Sequence, residues 1–398
     1  MTPDRSSTLA AASLVAVMFI NLLGFGIVIP LLPFYGQALH AAPWQIALIF
    51  SAFAMGGFFG EPVWGRLSDR VGRKPLLLST VTGTLCCYLA LAFAPDVWTA
   101  FAIRFAGGMA SGNGAVMQGY IADVTAPEQR ARRLSWIGAA ASMGLVVGPS
   151  IGGLFAHPHA GPAGFRIPLL IAAALSATCL LAIAVFIREP RGQRVVRPHQ
   201  SRWQAWGEVT RHPVIGRLML LTFLVGFAFT GIESVFGLWG EARFGWGPKQ
   251  VGWCFAAAGI VSALTQFFVT GALSERYGEA RVLAVGMALT VIGCLAQTRS
   301  TGLEWTTAFL ALTALGQSIS WPNVGALISR NADPAKQGQV LGLNNACGAF
   351  ARFAGPLSAG LAFAHLSRNA PFYMAGLVVA PAILLALSAV GRARAASD

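Results

Sequence analysis

The sequence predicts an all-α integral membrane protein with twelve transmembrane helices, arranged as two pseudo-symmetric six-helix bundles. This prediction depends on the composition, the length of the apolar runs and an internal repeat. Charged residues make up only 11% of the 398 residues and apolar residues 55%, whereas about a quarter of a soluble domain is charged. The mean hydropathy of +0.63 agrees with this composition. Such a chain is suited to a lipid bilayer.

The apolar runs are long enough to cross a bilayer as helices. Between Arg5 and Glu61 there is no Asp, Glu, Lys or Arg, which leaves room for two spans of roughly 20 residues each. The first run is longer than the apolar part of a cleaved signal, so we expect it to be retained. The runs are too long for barrel strands and lack their polar alternation. The predicted spans are 9–32, 44–64, 75–94, 98–121, 133–155 and 165–187 in the first half, and 213–238, 249–272, 281–298, 303–328, 338–364 and 371–391 in the second.

Two motifs recur at almost the same offset in the second half. The stretch GRLSDRVGRK, which begins at Gly65, returns in degenerate form as GALSERYGEA 206 positions later, and GPSIGG at Gly148 returns as GPLSAG 207 positions later. An offset held at two motifs indicates duplication, and paired membrane halves are typical of transporters. The predicted domains are an N-terminal bundle at 1–187, a cytoplasmic linker at 188–212 and a C-terminal bundle at 213–398.

The net charge of +13 is distributed unevenly along the chain. If both termini are cytoplasmic, 21 of the 28 Lys and Arg residues fall in cytoplasmic segments. This is the positive-inside pattern of a multi-pass membrane protein, and it argues against nucleic acid as a partner. The ratio of 25 Arg to 3 Lys is typical of a GC-rich bacterial genome, so we place the protein in a bacterial cytoplasmic (inner) membrane.

The sequence shows no sign of a metal site, a bound cofactor or an enzyme. All six cysteines lie within predicted spans, without the spacing of metal ligands or of a disulfide framework. No GxxxxGKS or GxxxxGKT phosphate-binding loop is present. Any work the protein does must therefore draw on a gradient.

The loop between the second and third spans carries the most specific motif. GRLSDRVGRK matches the complete G-x-L-x-D-R-x-G-R-K pattern of the major facilitator superfamily, and the chain resembles that family here. The glycines permit a tight turn, and the charges can face helix ends. The resemblance implies a cytoplasmic latch between the halves; the alternative is a basic turn that only sets topology. The latch residues would be Gly65, Asp69, Arg70, Gly72 and Arg73, with Asp123 at the end of the fourth span as a partner.

The second copy of this loop differs from the first at one charge. Glu275 and Arg276 keep the acid and base of the motif, but Glu279 stands where the first copy has Arg73. Because of this replacement, we expect the second latch to be weaker.

The fifth span carries a second motif of the same family. GLVVGPSIGG resembles the antiporter signature, which marks exporters more often than importers. Glycines remove side chains from one helix face and proline kinks the helix, which permits close packing on a partner helix at the interface between the halves. The residues concerned are Gly144, Gly148, Pro149, Gly152 and Gly153.

Three further segments extend the resemblance to twelve-helix drug/proton antiporters of the tetracycline-efflux type. These are GFGIVIPLLP from Gly24, GYIADVTAPEQRAR from Gly119 and GEARFGW from Gly240. Exporters of that type carry a carboxylate in the first span, where this chain has Asn21. Since an amide does not exchange a proton near neutral pH, neither the coupling site nor the substrate of those exporters can simply be carried over to this chain.

Three ionisable side chains stand out because they lie well inside predicted spans, where an unpaired charge costs about 2.5–3.5 kcal/mol or more. Arg104 in the fourth span matches the arginine that the family places beside the central cavity and implicates in proton transfer. Glu233 in the seventh span is the predicted protonatable carboxylate, with Arg104 and Arg352 tuning it or binding an anionic part of the substrate. The alternative is a static buried pair of Glu233 with either arginine.

The predicted substrate contacts combine polar anchors with aromatic surface, as suits amphipathic molecules. Asn21 and Gln317 are the preferred polar anchors, since both lie mid-span beside small residues. Phe236 supplies aromatic surface, and Arg352 is a candidate for an anionic group.

The favoured function is proton-coupled export of lipophilic or amphipathic small molecules by alternating access. The alternatives are a proton-coupled or facilitated transporter of a small metabolite or organic anion, and a membrane protein that does not transport. We expect the partners to be a small-molecule substrate, protons and the lipid bilayer, and the protein to be a monomer.

Overall fold

The computed structural model describes residues 5–125, 127–187, 189, 213–333 and 337–395, and within these ranges every regular element is helical. The all-α prediction is therefore confirmed. The helices of this described part fall at the predicted spans, and nine of its segments are long and apolar enough to cross a membrane. Apart from Glu189, the predicted linker at 188–212 lies outside the described residues.

The helices form two compact units by their internal contacts. The first unit contains α1–α8 and also residues Trp246–Ala256. Its elements are α1 (Arg5–Val28), a 3₁₀ turn (Ile29–Leu31), α2 (Leu32–Ala38), α3 (Pro43–Val71), α4 (Arg73–Leu91), α5 (Val97–Ala110), α6 (Asn113–Val124), α7 (Pro127–Phe155), a second 3₁₀ segment (Pro158–Phe165) and α8 (Arg166–Phe186).

The second unit contains the rest of the described chain. Its elements are α9 (Pro213–Phe244), the part of α10 (Pro248–Leu264) that follows Ala256, a π-helical turn (Thr265–Val269), α11 (Thr270–Tyr277), α12 (Glu279–Gln297), α13 (Leu303–Asn331), α14 (Gln337–His365) and α15 (Ala370–Ala395). The helix pairs repeat between the units: α1 packs on α7 and α8 as α9 packs on α14 and α15, and α4 packs on α8 as α12 packs on α15. This repeated pairing is what a duplicated unit requires.

Local signals explain where several helices begin. Pro43 starts α3, and the Gln45 side chain accepts a hydrogen bond from the Ala42 amide at 2.8 Å. Asp96 caps α5 by accepting from the amides of Trp98 and Thr99 at 2.8 and 3.0 Å. Such caps satisfy amides that have no partner inside the helix.

The fourth predicted span, 98–121, is not one continuous helix as predicted. It is broken at Ser111 and Gly112 into α5 and α6. The Trp64 side chain fills the space beside Gly112. A methyl group added to Gly112 would lie 2.5 Å from Cβ of Trp64. The Trp64 indole N–H also donates to the Met109 carbonyl, which compensates for a lost helical bond.

Large apolar side chains cover the outside of the helices. Phe268 is 74% exposed in the chain, Leu377 75% and Val185 69%. Exposed apolar surface of this extent on membrane-length helices is the expected lipid-facing side.

Candidate functional site

Glu233 and Arg352 belong to one electrostatic cluster in the second unit. Glu233 lies on α9 and is half-buried, and Arg352 lies on the neighbouring helix α14. Arg352 is the charged group that acts on the Glu233 carboxyl. The structure therefore brings together two of the three ionisable side chains that the sequence singled out.

Small residues open space for a tryptophan ring beside this pair. A methyl group added to Gly226 of α9 would lie 3.5 Å from Cζ3 of Trp321. A methyl group added to Gly348 of α14 would lie 3.3 Å from Cη2 of the same tryptophan and 3.7 Å from an Nη of Arg352. Gly226 is seven residues before Glu233, so both lie on about the same face of α9. The result is an acid, a base and an aromatic surface around one face of α9.

Gln317 has the property expected of a ligand anchor. It is partly buried on α13, and its Oε1 is buried without a hydrogen-bond partner in the part of the chain that is described. A buried amide oxygen without a partner is rare in folded proteins. Such an acceptor is available to a donor on a bound molecule.

Phe236 is placed differently from the prediction. Its side chain is fully buried, and its ring centroid lies 6.0 Å from that of Trp239. A ring enclosed in this way has no surface for a solute, so we remove Phe236 from the candidate contacts. Trp239 itself is fixed by donating to the Asn369 side chain at 2.9 Å.

Arg104 lies in the first unit, within a cleft between α3, α4 and α5. Only 5% of its surface is exposed, and its guanidinium lies 4.5 Å above the ring of Phe53. Phe53 in turn packs on Phe25 of α1 at 5.2 Å. Asn21 is partly exposed one turn before Phe25, so the amide that replaces the expected carboxylate belongs to the same side of α1.

The loop from Gly65 to Lys74 is fixed by a residue that the sequence did not indicate. The Glu189 carboxylate accepts from the amides of Arg73 at 2.7 Å and Lys74 at 2.8 Å, which are the first residues of α4. An anion at a helix N-terminus is stabilised by the free amides and the helix dipole. Glu189 is 116 positions from Arg73, and no pattern in the sequence links the two.

The latch residues of the first loop are only partly described. Gly72 has φ +119°, a backbone conformation that favours glycine. The Arg73 guanidinium donates to Ser68 and lies against Gly119 of α6, where a methyl group would be 2.8 Å from Cζ. Gly65 and Arg70 lie near the end of α3. The side chains of Asp69 and Asp123 lie outside the described structure.

The second copy of the loop contains an ion pair at Glu279. Arg330, at the end of α13, binds Glu279 through two contacts of 2.7 and 3.0 Å. Glu279 lies in the first turn of α12 and Arg330 in the last turn of α13, which suits both helix dipoles. The position that corresponds to Arg330 in the first half holds Asp123, so the charges at both positions are exchanged between the two copies. The weaker second latch stays a prediction.

The signature glycines of α7 pack on α1 of their own unit. Their expected packing at the interface between the halves stays a prediction. A methyl group added to Gly144 would lie 2.6 Å from the carbonyl oxygen of Phe19, and one added to Gly148 would lie 2.6 Å from the carbonyl carbon of Gly26. A methyl group added to Gly152 would lie 2.3 Å from the carbonyl oxygen of Ile27. The other end of the motif meets the start of α10, which contributes to the first unit: Gly153 approaches Pro248, and Gly252 approaches Pro149.

Comparisons with known proteins agree on one family. The family model described as Major Facilitator Superfamily matches residues 14–248 and 241–397. The chain is 32% identical to the class C tetracycline resistance protein of Escherichia coli over 349 residues, which is 85% of each chain. It is 25% identical to multidrug resistance protein 2 of Bacillus subtilis over 372 residues, or 92% of this chain and 91% of that protein.

Solved structures share the fold. The human organic anion transporter TETRAN superposes with a TM-score of 0.72 at 23% identity, covering 97% of this chain and 100% of that one. A bacterial homologue of the human lysosomal transporter Spinster superposes with a TM-score of 0.75 at 14% identity, covering 98% and 96%. At these identities the likeness concerns the fold alone.

Proposed function

Because this chain belongs to the major facilitator superfamily, we propose that it is a secondary active exporter of lipophilic or amphipathic small molecules, driven by proton antiport. It is a multi-pass membrane protein, and its curated relatives are named for resistance to tetracycline and to multiple drugs. The observation that carries the coupling proposal is the position of Glu233, an acid on a membrane-length helix within electrostatic range of Arg352.

The proposed cycle uses Glu233 as the proton carrier. When Glu233 is ionised, the positive charge of Arg352 stabilises it, which lowers the energy of a charge inside the membrane. When Glu233 takes up a proton, Arg352 loses that counter-charge and the cluster changes its net charge by one. A substrate with a positive or strongly polar group competes with the proton for the acid, and this competition couples the two movements.

The aromatic and amide groups around the pair suit the substrate class. Trp321 is 41% exposed and supplies a flat apolar surface, while Gln317 supplies an acceptor. Few polar anchors beside an aromatic face favour amphipathic organic molecules over sugars. We propose Gln317, Asn21 and Arg352 as substrate contacts, and Arg104 as a fixed positive charge of the first unit that tunes the coupling.

The finer placement is also part of the proposal. Both termini would be cytoplasmic, so that the loops at Gly65–Lys74 and Gly271–Ala280 face the cytoplasm of a bacterium. The first loop would act as a latch through Asp69, Arg70, Arg73 and Asp123. The bundles would be 1–187 and 213–398, with 188–212 as the linker, and the protein would work as a monomer.

Collapse of a preformed pH gradient tests the function. In sealed vesicles that contain the purified protein, addition of tetracycline or ethidium should dissipate an imposed pH gradient. The Glu233→Gln variant should be inserted normally but should not dissipate the gradient. Glu241→Gln, at the end of the same helix, is the matched control and should behave as the wild type. Unchanged gradient collapse in Glu233→Gln would exclude Glu233 as the carrier.

A second variant separates export from the organic-anion alternative. Arg352→Ala removes the charge partner of Glu233. If the protein moves cationic or neutral drugs, this variant should still bind them, although coupling should weaken. If the wild type moves organic acids but not drugs, and Arg352→Ala no longer moves organic acids, the organic-anion transporter would be favoured.

A further inference from the structure

The cleft around Arg104 is built from three helices of the first unit. Phe53 of α3, Thr84, Cys87, Tyr88 and Leu91 of α4, and Ile103, Arg104 and Gly107 of α5 line it. The missing side chain of Gly107 creates part of the space, since a methyl group there would lie 3.4 Å from Cβ of Cys87 and 3.5 Å from its Sγ. The cleft is therefore a defined space beside a buried cation.

The charge in this cleft is not balanced by the described protein. The groups that interact electrostatically with Arg104 are the Tyr88 phenol and the Cys87 thiol, which are neutral near pH 7 at their ordinary pKa values. Among the described residues, no carboxylate pairs with Arg104. Its Nε is fully buried and makes no hydrogen bond there. A guanidinium that is 5% exposed and has no counter-charge is costly to bury.

The sequence shows why the counter-charge is missing. No Asp or Glu occurs between Arg5 and Glu61, so α1 brings no acid to this side of the unit. The residue one turn before Phe25 is Asn21, and Phe25 packs on Phe53, which lies under the guanidinium. An amide at this place leaves the positive charge of Arg104 uncompensated.

The hydrogen-bond donors around the cleft and the size of the cleft indicate what kind of group would balance the charge of Arg104. Phe53 covers one face of the guanidinium, so its edge nitrogens remain for hydrogen bonds. Thr84 already donates to Thr80 O at 3.0 Å, whereas no acceptor for the Tyr88 hydroxyl is found in the described part of the chain. The enclosed part of the cleft has room for only about one water-sized particle. A space of this size favours a single small ion over an organic acid.

We propose that the Arg104 cleft is a binding site for a small monovalent anion, with chloride as the physiological occupant. The ion accepts hydrogen bonds from Arg104 and Tyr88 and supplies the negative charge that the first helix lacks. This site lies outside the Glu233 cluster and does not depend on the proposed direction or coupling of transport. Its failure would therefore leave the exporter proposal intact.

Anion binding to the purified protein tests this site. Chloride replaces gluconate at constant ionic strength and sodium concentration, while the unfolding temperature and equilibrium binding of radioactive chloride are measured. The wild type should show a saturable rise of the unfolding temperature and about one bound chloride per chain. Bromide should replace chloride, and sulfate should not. Equal behaviour in chloride and gluconate would mean that the cleft holds water only, and would overturn the proposal.

Four variants localise the site. Arg104→Gln should abolish the chloride response, and Tyr88→Phe should weaken the apparent affinity roughly tenfold, because it removes one hydrogen bond to a charged acceptor. Gly107→Ala narrows the cleft at ordinary contact distances and should also reduce binding, which keeps the test valid if Arg104→Gln does not fold. Arg243→Gln is the control, since Arg243 also lies over an aromatic ring but already donates to Ser300 O. Unaltered chloride affinity in both Tyr88→Phe and Gly107→Ala would contradict the assignment.

Discussion

The acid Glu233 and the cation Arg104 differ in what surrounds them. Glu233 lies within electrostatic range of Arg352 on the neighbouring helix, so the two groups together carry no net charge when the acid is ionised. Arg104 has an aromatic ring, a phenol and a thiol around it, and none of the described carboxylates pairs with it. These two environments suit different tasks: a neutral pair can gain or lose a proton, while an uncompensated cation attracts an anion.

Asp96 gives a prediction for acid stability. Hydrogen bonds from the Thr99 hydroxyl and the Thr99 and Trp98 amides lower the pKa of its carboxyl. A lowered pKa in the folded state adds stability above the unfolded pKa of about 3.9, and this stability is lost as the pH falls through the folded pKa. Asp96→Ala should therefore be less stable than the wild type at pH 7, with the difference shrinking below about pH 4.

Thermal unfolding in detergent at several pH values measures this effect. Thr99→Val keeps the carboxylate and the backbone bonds and should show a smaller loss than Asp96→Ala. A stability difference that stays constant from pH 7 to pH 3 would show that the Asp96 carboxylate does not stabilise the start of α5.

At the scale of single helices, α7 and α1 approach through backbone atoms. The methyl group of Ala at position 148 would lie 2.6 Å from the carbonyl carbon of Gly26, and backbone cannot move aside as a flexible side chain can. Overpacking of this kind typically destabilises by about 1–3 kcal/mol. Gly148→Ala should therefore lower the unfolding temperature and reduce transport.

Gly138 of the same helix provides the control for this substitution. A methyl group there would meet nothing within 4 Å, and alanine is favoured over glycine in a helix by about 1 kcal/mol. Gly138→Ala should be at least as stable as the wild type. Equal stability of the Gly148 and Gly138 variants would mean that α1 and α7 separate more easily than their contact suggests.

The same helices show what the sequence could predict and what it could not. Long apolar runs and the absence of charge located the helices, because a bilayer requires continuous apolar segments. The break at Ser111 and Gly112 was missed, since it depends on Trp64 from another helix. The rotation of α9 about its own axis could not be predicted either, because a helix that is apolar on all sides has no polar face to orient it. This is why Phe236 was predicted as a contact and Glu233 was not assigned a partner with certainty.

At the scale of the whole molecule, the repeat is conserved in geometry but not in the sign of its charges. Arg73 starts α4 in the first unit, and Glu279 starts α12 in the second. Glu279 is bound by Arg330, which lies 207 positions after Asp123. Arg73 therefore corresponds to Glu279 at an offset of 206, and Asp123 corresponds to Arg330 at an offset of 207. At both positions the sign of the charge is reversed between the halves.

A charge exchange tests whether the Glu279–Arg330 pair matters for transport. The side chain of Arg330 is 71% exposed, so we expect each single reversal to change the free energy of unfolding by less than about 1 kcal/mol. Glu279→Arg and Arg330→Glu should each slow drug export several-fold, and the double variant should recover at least half of the rate. The recovery should be incomplete, because the exchanged charges oppose the helix dipoles. A double variant no better than the single ones would show that the pair has no role in the cycle.

The central claim is that Glu233 exchanges one proton in each transport cycle, and uphill transport measured beside counterflow tests it most directly. Both are measured in the same proteoliposomes with one radiolabelled amphipathic drug, for the wild type and for Glu233→Gln. Counterflow needs the substrate site to change sides but needs no net proton movement, so the variant should retain it and lose accumulation driven by a pH gradient. Accumulation by Glu233→Gln at the wild-type level would contradict the account.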